Sequence, residues 1–327
     1  MPVYNESLYI KEAINSVLCQ TYQDFELIII DDFSTDNTVD LIKQFNDDRI
    51  VFIQKEKNTG YTVSLNLGIE ISQGKYIARM DGDDICHEDR FKDQFEFLEN
   101  NSDYVLCGTQ YNRLNAQKPF ILPSENDDIK AMLLCGNQFI HPSVMMRKAV
   151  LIENNIRYNK DREPAEDYDL WVRLMPFGKF KNLKKTLVSY RIHSGQISQS
   201  SFKIQKDHDF HTRILFLNNI GVNLDRNESK VLENIYSIDQ GLSNKFLVKH
   251  YKSMFSKIEV GLRSNFDDRK VFKRTLMLIE KDLFKHRIFK KNDFIINKLS
   301  KYIFFRLKVG FNKSFALEYS FVKSILR

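Results

Sequence analysis

Two hydrophobic rhythms alternate along the first hundred residues of the chain. Ile10, Ala13, Ile14, Val17 and Leu18 fall on one face of a helix, whereas Phe25-Glu26-Leu27-Ile28-Ile29-Ile30 is a nearly continuous apolar run of strand length. Ser34, Thr35, Asp36 and Asn37 supply turn chemistry after that run, and the next helical pattern spans Asp36 to Phe45. The rhythm then repeats, with a strand at Val51 to Ile53, a helix at Val63 to Ile71, a strand at Lys75 to Met80, a helix at Phe91 to Leu98 and a strand at Tyr104 to Cys107. Such alternation predicts βαβ units and an α/β fold with a mostly parallel central sheet.

Charge divides the chain where the pattern changes. Residues 1–200 carry a net −7 and residues 201–327 a net +13. The polar, aperiodic stretch Ser194-Gly195-Gln196-Ile197-Ser198-Gln199-Ser200-Ser201 reads as a linker between them. The sequence therefore predicts an α/β domain over 1–200 and a basic helical region over 201–327. Cys19, Cys86, Cys107 and Cys135 have no CxxC spacing and lie mostly in apolar runs, which suits reduced residues of a cytoplasmic protein better than zinc ligands or a disulfide framework. No apolar run is long enough to span a bilayer, and no basic leader precedes an apolar signal core.

Two of the strands end in carboxylates. Tyr76-Ile77-Ala78-Arg79-Met80 runs into Asp81-Gly82-Asp83-Asp84, and the Phe25–Ile30 run ends in Asp31-Asp32. Ligands of open α/β sheets sit beyond the carboxyl ends of the strands, so both acidic groups can face one cleft. Carboxylate oxygens suit hard Mg²⁺ or Mn²⁺, whose remaining coordination positions substrate phosphates can fill. Gly82 is expected to permit a tight turn. The competing readings are a solvated acidic loop for Asp81–Asp84 and a helix cap for Asp32 or Asp36; Asp36 suits the cap and leaves Asp32 for a ligand.

Further segments extend the pattern. Met1-Pro2-Val3-Tyr4-Asn5-Glu6, Ile30-Asp31-Asp32-Phe33-Ser34-Thr35-Asp36, Ala78-Arg79-Met80-Asp81-Gly82-Asp83-Asp84-Ile85 and Ala165-Glu166-Asp167-Tyr168-Asp169-Leu170-Trp171 resemble the signature segments of family 2 glycosyltransferases with the GT-A fold. Asn58-Thr59-Gly60, Leu65-Asn66-Leu67-Gly68, Gly74-Lys75-Tyr76-Ile77, His141-Pro142-Ser143 and Tyr190-Arg191-Ile192-His193 also fit, in the family's order, over roughly residues 1–200. An ordered set of this length is far more specific than any single motif. The family carries an apolar strand ahead of the Pro-x-Tyr-Asn segment, so the first strand is expected to be missing from a sequence that begins at Met1. Loss of a central parallel strand would weaken the sheet.

The resemblance implies a metal-dependent, inverting transfer of one sugar from a nucleotide-diphosphate donor, with UDP favoured, to a saccharide acceptor, free or lipid-linked, in cell-surface polysaccharide or glycoconjugate synthesis. It implies Mn²⁺ or Mg²⁺ on Asp83, with Asp81 on the ribose or a metal-bound water, Asp84 as a helper and His193 completing the metal or diphosphate site. Pro2, Val3 and Tyr4 would line the base, Asp32 would accept from a ring N–H, and Glu6 and Asn66 would border the same pocket. Turn or core packing is the competing reading of Tyr4 and Asn66, and helix capping that of the Glu166-Asp167 pair. As the catalytic base, Asp167 would take the acceptor proton, with Glu166 tuning it. Processive members carry a Gln-x-x-Arg-Trp motif and membrane helices; this sequence has neither, which points to one sugar per encounter.

Two other functions share parts of this pattern. A sugar-phosphate nucleotidyltransferase would want a Gly-rich basic loop near the N-terminus, which Pro2 to Ser7 does not offer. A receiver-like Mg²⁺-binding signalling domain would use Asp31-Asp32 and Asp81 but leave Glu166-Asp167 idle. Residues 301–327 mix aromatics with six basic residues and one acid. They read either as a peripheral segment on an anionic membrane surface, at the inner face of the plasma membrane, or as a helix packed on the catalytic domain. No recognition motif for nucleic acid accompanies the charge.

Overall fold

The computed structural model describes residues 1–114, 116, 118–193, 202–236, 244–268, 271 and 274–279. The chain divides into two compact units, one formed by Met1–Lys130 and Asn137–Gln205, the other by Ala131–Gly136 and the chain from Lys206 onward. The linker 194–201 and the basic segment 301–327 lie outside the described residues.

In the first unit, β1 (Pro2–Val3), β2 (Leu27–Asp31) and β3 (Ile50–Gln54) form a parallel sheet in that order. Pro2 stands opposite Ile30 and Val3 opposite Asp31, so β1 pairs with β2 over two residues. Around this sheet lie α1 (Ile10–Leu18), α2 (Thr38–Ile42), α3 (Tyr61–Ile71) and α4 (Arg90–Asn100). The helical face read from Ile10, Ala13, Ile14 and Val17 is the buried face of α1. It packs with Leu27 and Ile29 of β2 and with Met80, Phe91 and Leu98 in one core cluster.

A second, mixed sheet has the order β4-β7-β6-β8-β5, from β4 (Tyr76–Ala78), β5 (Ile85–Cys86), β6 (Tyr104–Arg113), β7 (Met145–Arg147) and β8 (Lys179–Tyr190). Here β6 and β8 are parallel, whereas β4/β7, β6/β7 and β5/β8 are antiparallel. The short helices α5 (Asn126–Met132) and α6 (Lys148–Glu153) precede α7 (Glu166–Leu174), whose Leu170, Trp171 and Leu174 are buried as the apolar spacing behind Glu166-Asp167 predicts.

Behind the Asp81–Asp84 turn sits Arg90, fully buried. Its guanidinium donates to the backbone oxygens of Arg79 (2.7 Å) and Val144 (3.1 Å) and to Gln94 (3.0 Å). A planar donor fork of this kind can satisfy several carbonyls at once, and here it ties α4 to the end of β4. A cavity of about 700 Å³ opens elsewhere in this unit, between β2 and β4.

The second unit is helical among its described residues. It includes α9 (Arg226–Tyr236), α10 (Asn244–Asn265) and most of α8 (Phe202–Asn219). Val231, Leu232 and Ile235 of α9 and Tyr251, Met254, Ile258 and Leu262 of α10 are buried. Lys257 bridges to the buried Glu228 at 2.7 Å. None of the four cysteines forms a disulfide, and no described helix is long and apolar enough to cross a membrane.

Candidate active site

A cleft of about 370 Å³ in the first unit is lined by the loop after β1, the turn after β4, the entrance of α7 and the chain leaving β8. Its first wall comes from a loop pinned at several points. Asn5 N–H donates to Ser34 Oγ (2.9 Å), Glu6 N–H to Thr38 Oγ1 (2.8 Å) and Ser7 N–H to Asp36 Oδ2 (3.1 Å). Asp36 also accepts from Thr38 N–H at 3.0 Å, so it works at the start of α2 as the sequence suggests. Pro2, Val3, Tyr4 and Glu6 all reach the cleft.

The turn after β4 brings Asp81 and Asp83 to the opposite side. Gly82 is needed there for close approach: a Cβ at this position would lie 2.9 Å from Val3 Cγ1 and 3.4 Å from Glu6 Cγ. The glycine therefore admits the first loop against the acidic turn, a reason different from the tight turn expected of it. Arg79, itself buried, pairs with Asp81. His193 Nε2 lies 2.9 Å from Asp83 Oδ2. Asp84 is fully buried; its Oδ1 accepts the Arg191 N–H at 2.8 Å, and its Oδ2 has no hydrogen-bond partner among the described residues.

Arg191 braces this wall, donating from Nε to the Asp83 backbone oxygen (2.8 Å) and from Nη2 to Glu12 (2.5 Å) while lying over the Tyr9 ring. Ligand atoms of Glu6, Asp83 and His193 lie within 4.8 Å of one another, and so do those of Asp81, Asp83 and Asp84. The crowding has an electrostatic cost. Burial first, then the charges of Asp83 and Asp81, push Glu6 up to about 8; burial and the same kind of repulsion push Asp84 up to about 9 and raise Asp81. Hard carboxylate oxygens beside one imidazole fit Mn²⁺ or Mg²⁺, and a divalent cation would relieve this repulsion.

Glu166 and Asp167 open α7 on the third side. No side chain caps this helix at Ala165, and both acids face other partners. Glu166 is buried, accepts from Tyr61 Oη at 2.6 Å, and is pushed up to about 8 by burial and by its neighbour Asp167. Asp167 accepts from Asn137 Nδ2 at 2.6 Å while its other oxygen accepts the Tyr168 N–H. His141 is also in the cleft, 2.9 Å from Tyr158 Oη and 3.8 Å from Glu166; burial and the Arg79 charge keep it neutral, well below the usual histidine range.

Asp32 is almost fully buried at the cleft wall. Oδ1 accepts from Lys55 Nζ (2.5 Å) and Thr59 N–H (3.0 Å), and Oδ2 from Gly60 N–H (2.8 Å). Gly60 adopts φ 95°, a left-handed conformation suited to glycine, as it delivers this N–H. With three donors on four lone-pair positions, Oδ2 keeps one for another partner. Asn66 stands apart from its expected place. It is absent from the cleft lining, and its amide is spent on the Tyr158 backbone, donating to the oxygen and accepting from the N–H, each at 2.9 Å. Asn66→Ala should cost about 1–3 kcal/mol, because it leaves the buried Tyr158 backbone groups unpaired, and leave UDP affinity unchanged; thermal melts and UDP titration check this.

Tyr61, Asn137 and Lys55 were not singled out from the sequence. Their importance comes from pairings across long stretches of chain, 105 residues for Tyr61 and Glu166 and 30 for Asn137 and Asp167. No local pattern signals such partners.

Comparison with known proteins identifies the family and the fold. The sequence profile of Glycosyl transferase family 2 matches residues 1–172. An uncharacterized glycosyltransferase of Haemophilus influenzae is 31% identical over 278 residues, covering 78% of this chain and 84% of that protein. Among solved structures, S. aureus TarS 1–349 in complex with UDP aligns with TM-score 0.56 and 15% identity, covering 90% of this chain and 92% of that one. The mannosyltransferase PcManGT from Pyrobaculum calidifontis, in complex with GDP-Man and Mn²⁺, aligns with TM-score 0.50 and 12% identity, covering 99% and 83%. The architecture is that of the GT-A glycosyltransferases.

Proposed function

Because the chain belongs to glycosyl transferase family 2, we infer that it is a metal-dependent, inverting enzyme that moves one hexosyl or N-acetylhexosaminyl unit from a UDP-sugar to a saccharide hydroxyl. One observation carries the reading: a single cleft is lined both by a cation-fitting set, Glu6, Asp83 and His193, and by a carboxylate pair, Glu166 and Asp167. Two solved structures of similar fold, one with UDP and one with GDP-Man and Mn²⁺, support a nucleotide-sugar donor and a divalent ion. Family membership sets aside the nucleotidyltransferase and receiver readings.

The division of labour follows from the side chains. Asp83 and His193 would hold Mn²⁺ or Mg²⁺, with Asp81 and Glu6 close by; when bound, the ion neutralises diphosphate charge as the glycosidic bond breaks. Pro2, Val3, Tyr4 and Asp32 form the base-binding side, with Oδ2 of Asp32 accepting from a ring N–H. Asp167 takes the acceptor proton as its oxygen attacks the anomeric carbon from the face opposite the diphosphate. Glu166, held by Tyr61 and pushed up to about 8 by burial and by the charge of Asp167, would tune that base. The acceptor is a saccharide of the cell surface, free or lipid-linked. The +13 charge of residues 201–327 supports work at the inner face of an anionic membrane.

A thermal-shift screen of sugar nucleotides with Mn²⁺, Mg²⁺ and chelator tests the reading. UDP-sugars should stabilise the chain only with the ion present; stabilisation by none of them, or equal stabilisation in chelator, would remove it.

A further inference from the structure

His141 brings into the cleft an imidazole that belongs neither to the cation-fitting set nor to the carboxylate pair. It opens the single turn His141–Ser143, where the Ser143 N–H and hydroxyl both donate to Ile140 O, at 2.9 and 2.8 Å. The ring is clamped as well. Nε2 lies 2.9 Å from Tyr158 Oη, the ring meets that of Trp171 edge to face at 6.0 Å, and the Tyr158 backbone is held in turn by the two bonds from Asn66. Tyr158 and Trp171 are both buried, so the imidazole keeps one orientation.

That leaves Nδ1. It makes no hydrogen bond among the described residues and stands 3.8 Å from Glu166 Oε1, too far for the two to bond. Glu166 is equally fixed, because Tyr61 Oη donates to its other oxygen at 2.6 Å. An oxygen atom beside this gap can lie about 2.8 Å from both sides at once. The chemistry of the two sides selects which oxygen. A neutral imidazole offers either an N–H or a lone pair at Nδ1, according to whether Tyr158 Oη donates to Nε2 or accepts from it. In the first state the Glu166 carboxylate is the acceptor opposite an N–H; in the second the protonated Glu166 carboxyl is the donor opposite a lone pair. Burial and the Arg79 charge keep His141 neutral, and burial with the charge of Asp167 pushes Glu166 up to about 8, so neither state sets an imidazolium against a carboxylate. Both states offer one donor and one acceptor. A hydroxyl matches that pair, whereas a carbonyl or ether oxygen cannot donate and leaves one side unpaired.

We propose that His141 Nδ1 and Glu166 Oε1 form a subsite for one hydroxyl of the acceptor sugar, the ring neighbour of the hydroxyl that attacks. The inference rests on the transfer reading of the cleft. Glu166 directly precedes Asp167, the base for the attacking hydroxyl, and both open α7, so the gap lies on the side that the acceptor takes. An acceptor lacking this hydroxyl leaves two buried polar groups unpaired, and loss of such a pairing is the most discriminating signal a binding site has. His141 thereby sets which saccharides are accepted.

The test uses the full chain with Mn²⁺, the UDP-sugar that stabilises it, and methyl hexosides with their monodeoxy forms as acceptors. For the wild type, one monodeoxy form should raise KM at least about tenfold over its parent. His141→Phe keeps a ring between Tyr158 and Trp171 and removes both nitrogens. It should raise KM for the parent by a similar factor, bind UDP as the wild type does, and no longer distinguish the parent from that monodeoxy form, because both changes remove one contact. His141→Asn returns an amide near the place of Nδ1 and should recover part of the discrimination. Losses that simply add, a wild-type KM in His141→Phe, or weakened UDP binding in either variant overturns the proposal. A wild type that binds UDP but transfers to no methyl hexoside overturns the subsite alone, whereas a wild type that fails to bind UDP with Mn²⁺ overturns the transfer reading and the subsite with it.

Discussion

Asp167→Asn should bind UDP with Mn²⁺ as the wild type does and lose sugar transfer by about 10²–10⁴-fold, the usual size of a general-base contribution. Asparagine preserves the shape of the side chain and its contact with Asn137, so donor binding on the other side of the cleft has no reason to change. What disappears is a group able to accept the acceptor's proton. Calorimetric titration with UDP and a transfer assay over a range of acceptor concentrations separate the two effects. Near-normal turnover would transfer the role to Glu166 or another residue; burial and the charge of Asp167 push Glu166 up to about 8.

Asp83→Ala should abolish metal-dependent nucleotide binding. Asp83 belongs to both sets of ligand atoms, with Glu6 and His193 on one side and with Asp81 and Asp84 on the other. Removing it leaves neither set with three members. The fold should survive, because the Arg191 side chain grips the backbone oxygen of Asp83, which alanine retains. In wild type, Mn²⁺ should tighten UDP binding in a titration; in the variant the Mn²⁺ and chelator titrations should coincide. A variant that still responds to Mn²⁺ would place the ion elsewhere.

The first unit was legible where one local rhythm decides one element. The face of α1, the apolar run of β2 and the helix behind Glu166-Asp167 are each set by spacing alone. The long strand β8 was not legible. Its burial does not alternate regularly, with Asn182 fully buried and Lys184 and Lys185 exposed, and its pairing with β6 shifts register near Thr109 and Gln110. The three-residue β7 is too short to show a period, and it is fixed by its two neighbours, β4 and β6.

The site divides in the same way. The carboxylates at Asp81 and Asp83 stand out because charge following an apolar run is a local signal, whereas Glu166-Asp167, preceded by Arg162-Glu163-Pro164-Ala165, stand out only through the family resemblance. Asn66 was ambiguous because an amide suits either a base or a backbone, and only the tertiary fold brings the Tyr158 backbone within reach. Arg79 and His141 stood inside recognised segments without a role. Their effect is electrostatic and depends on burial, which a linear pattern does not display.

The contact between Gly82 and Val3 bears on how this sequence can change over time. A methyl group at position 82 meets Val3 Cγ1 at 2.9 Å, and Val3 is itself packed into the core. The two positions share one volume, so their substitutions are ordered: alanine at 82 becomes tolerable only in a lineage where position 3 has already shrunk. Descendants of this sequence should therefore keep the glycine or vary the two sites together, and position 3 carries a record of which path was taken.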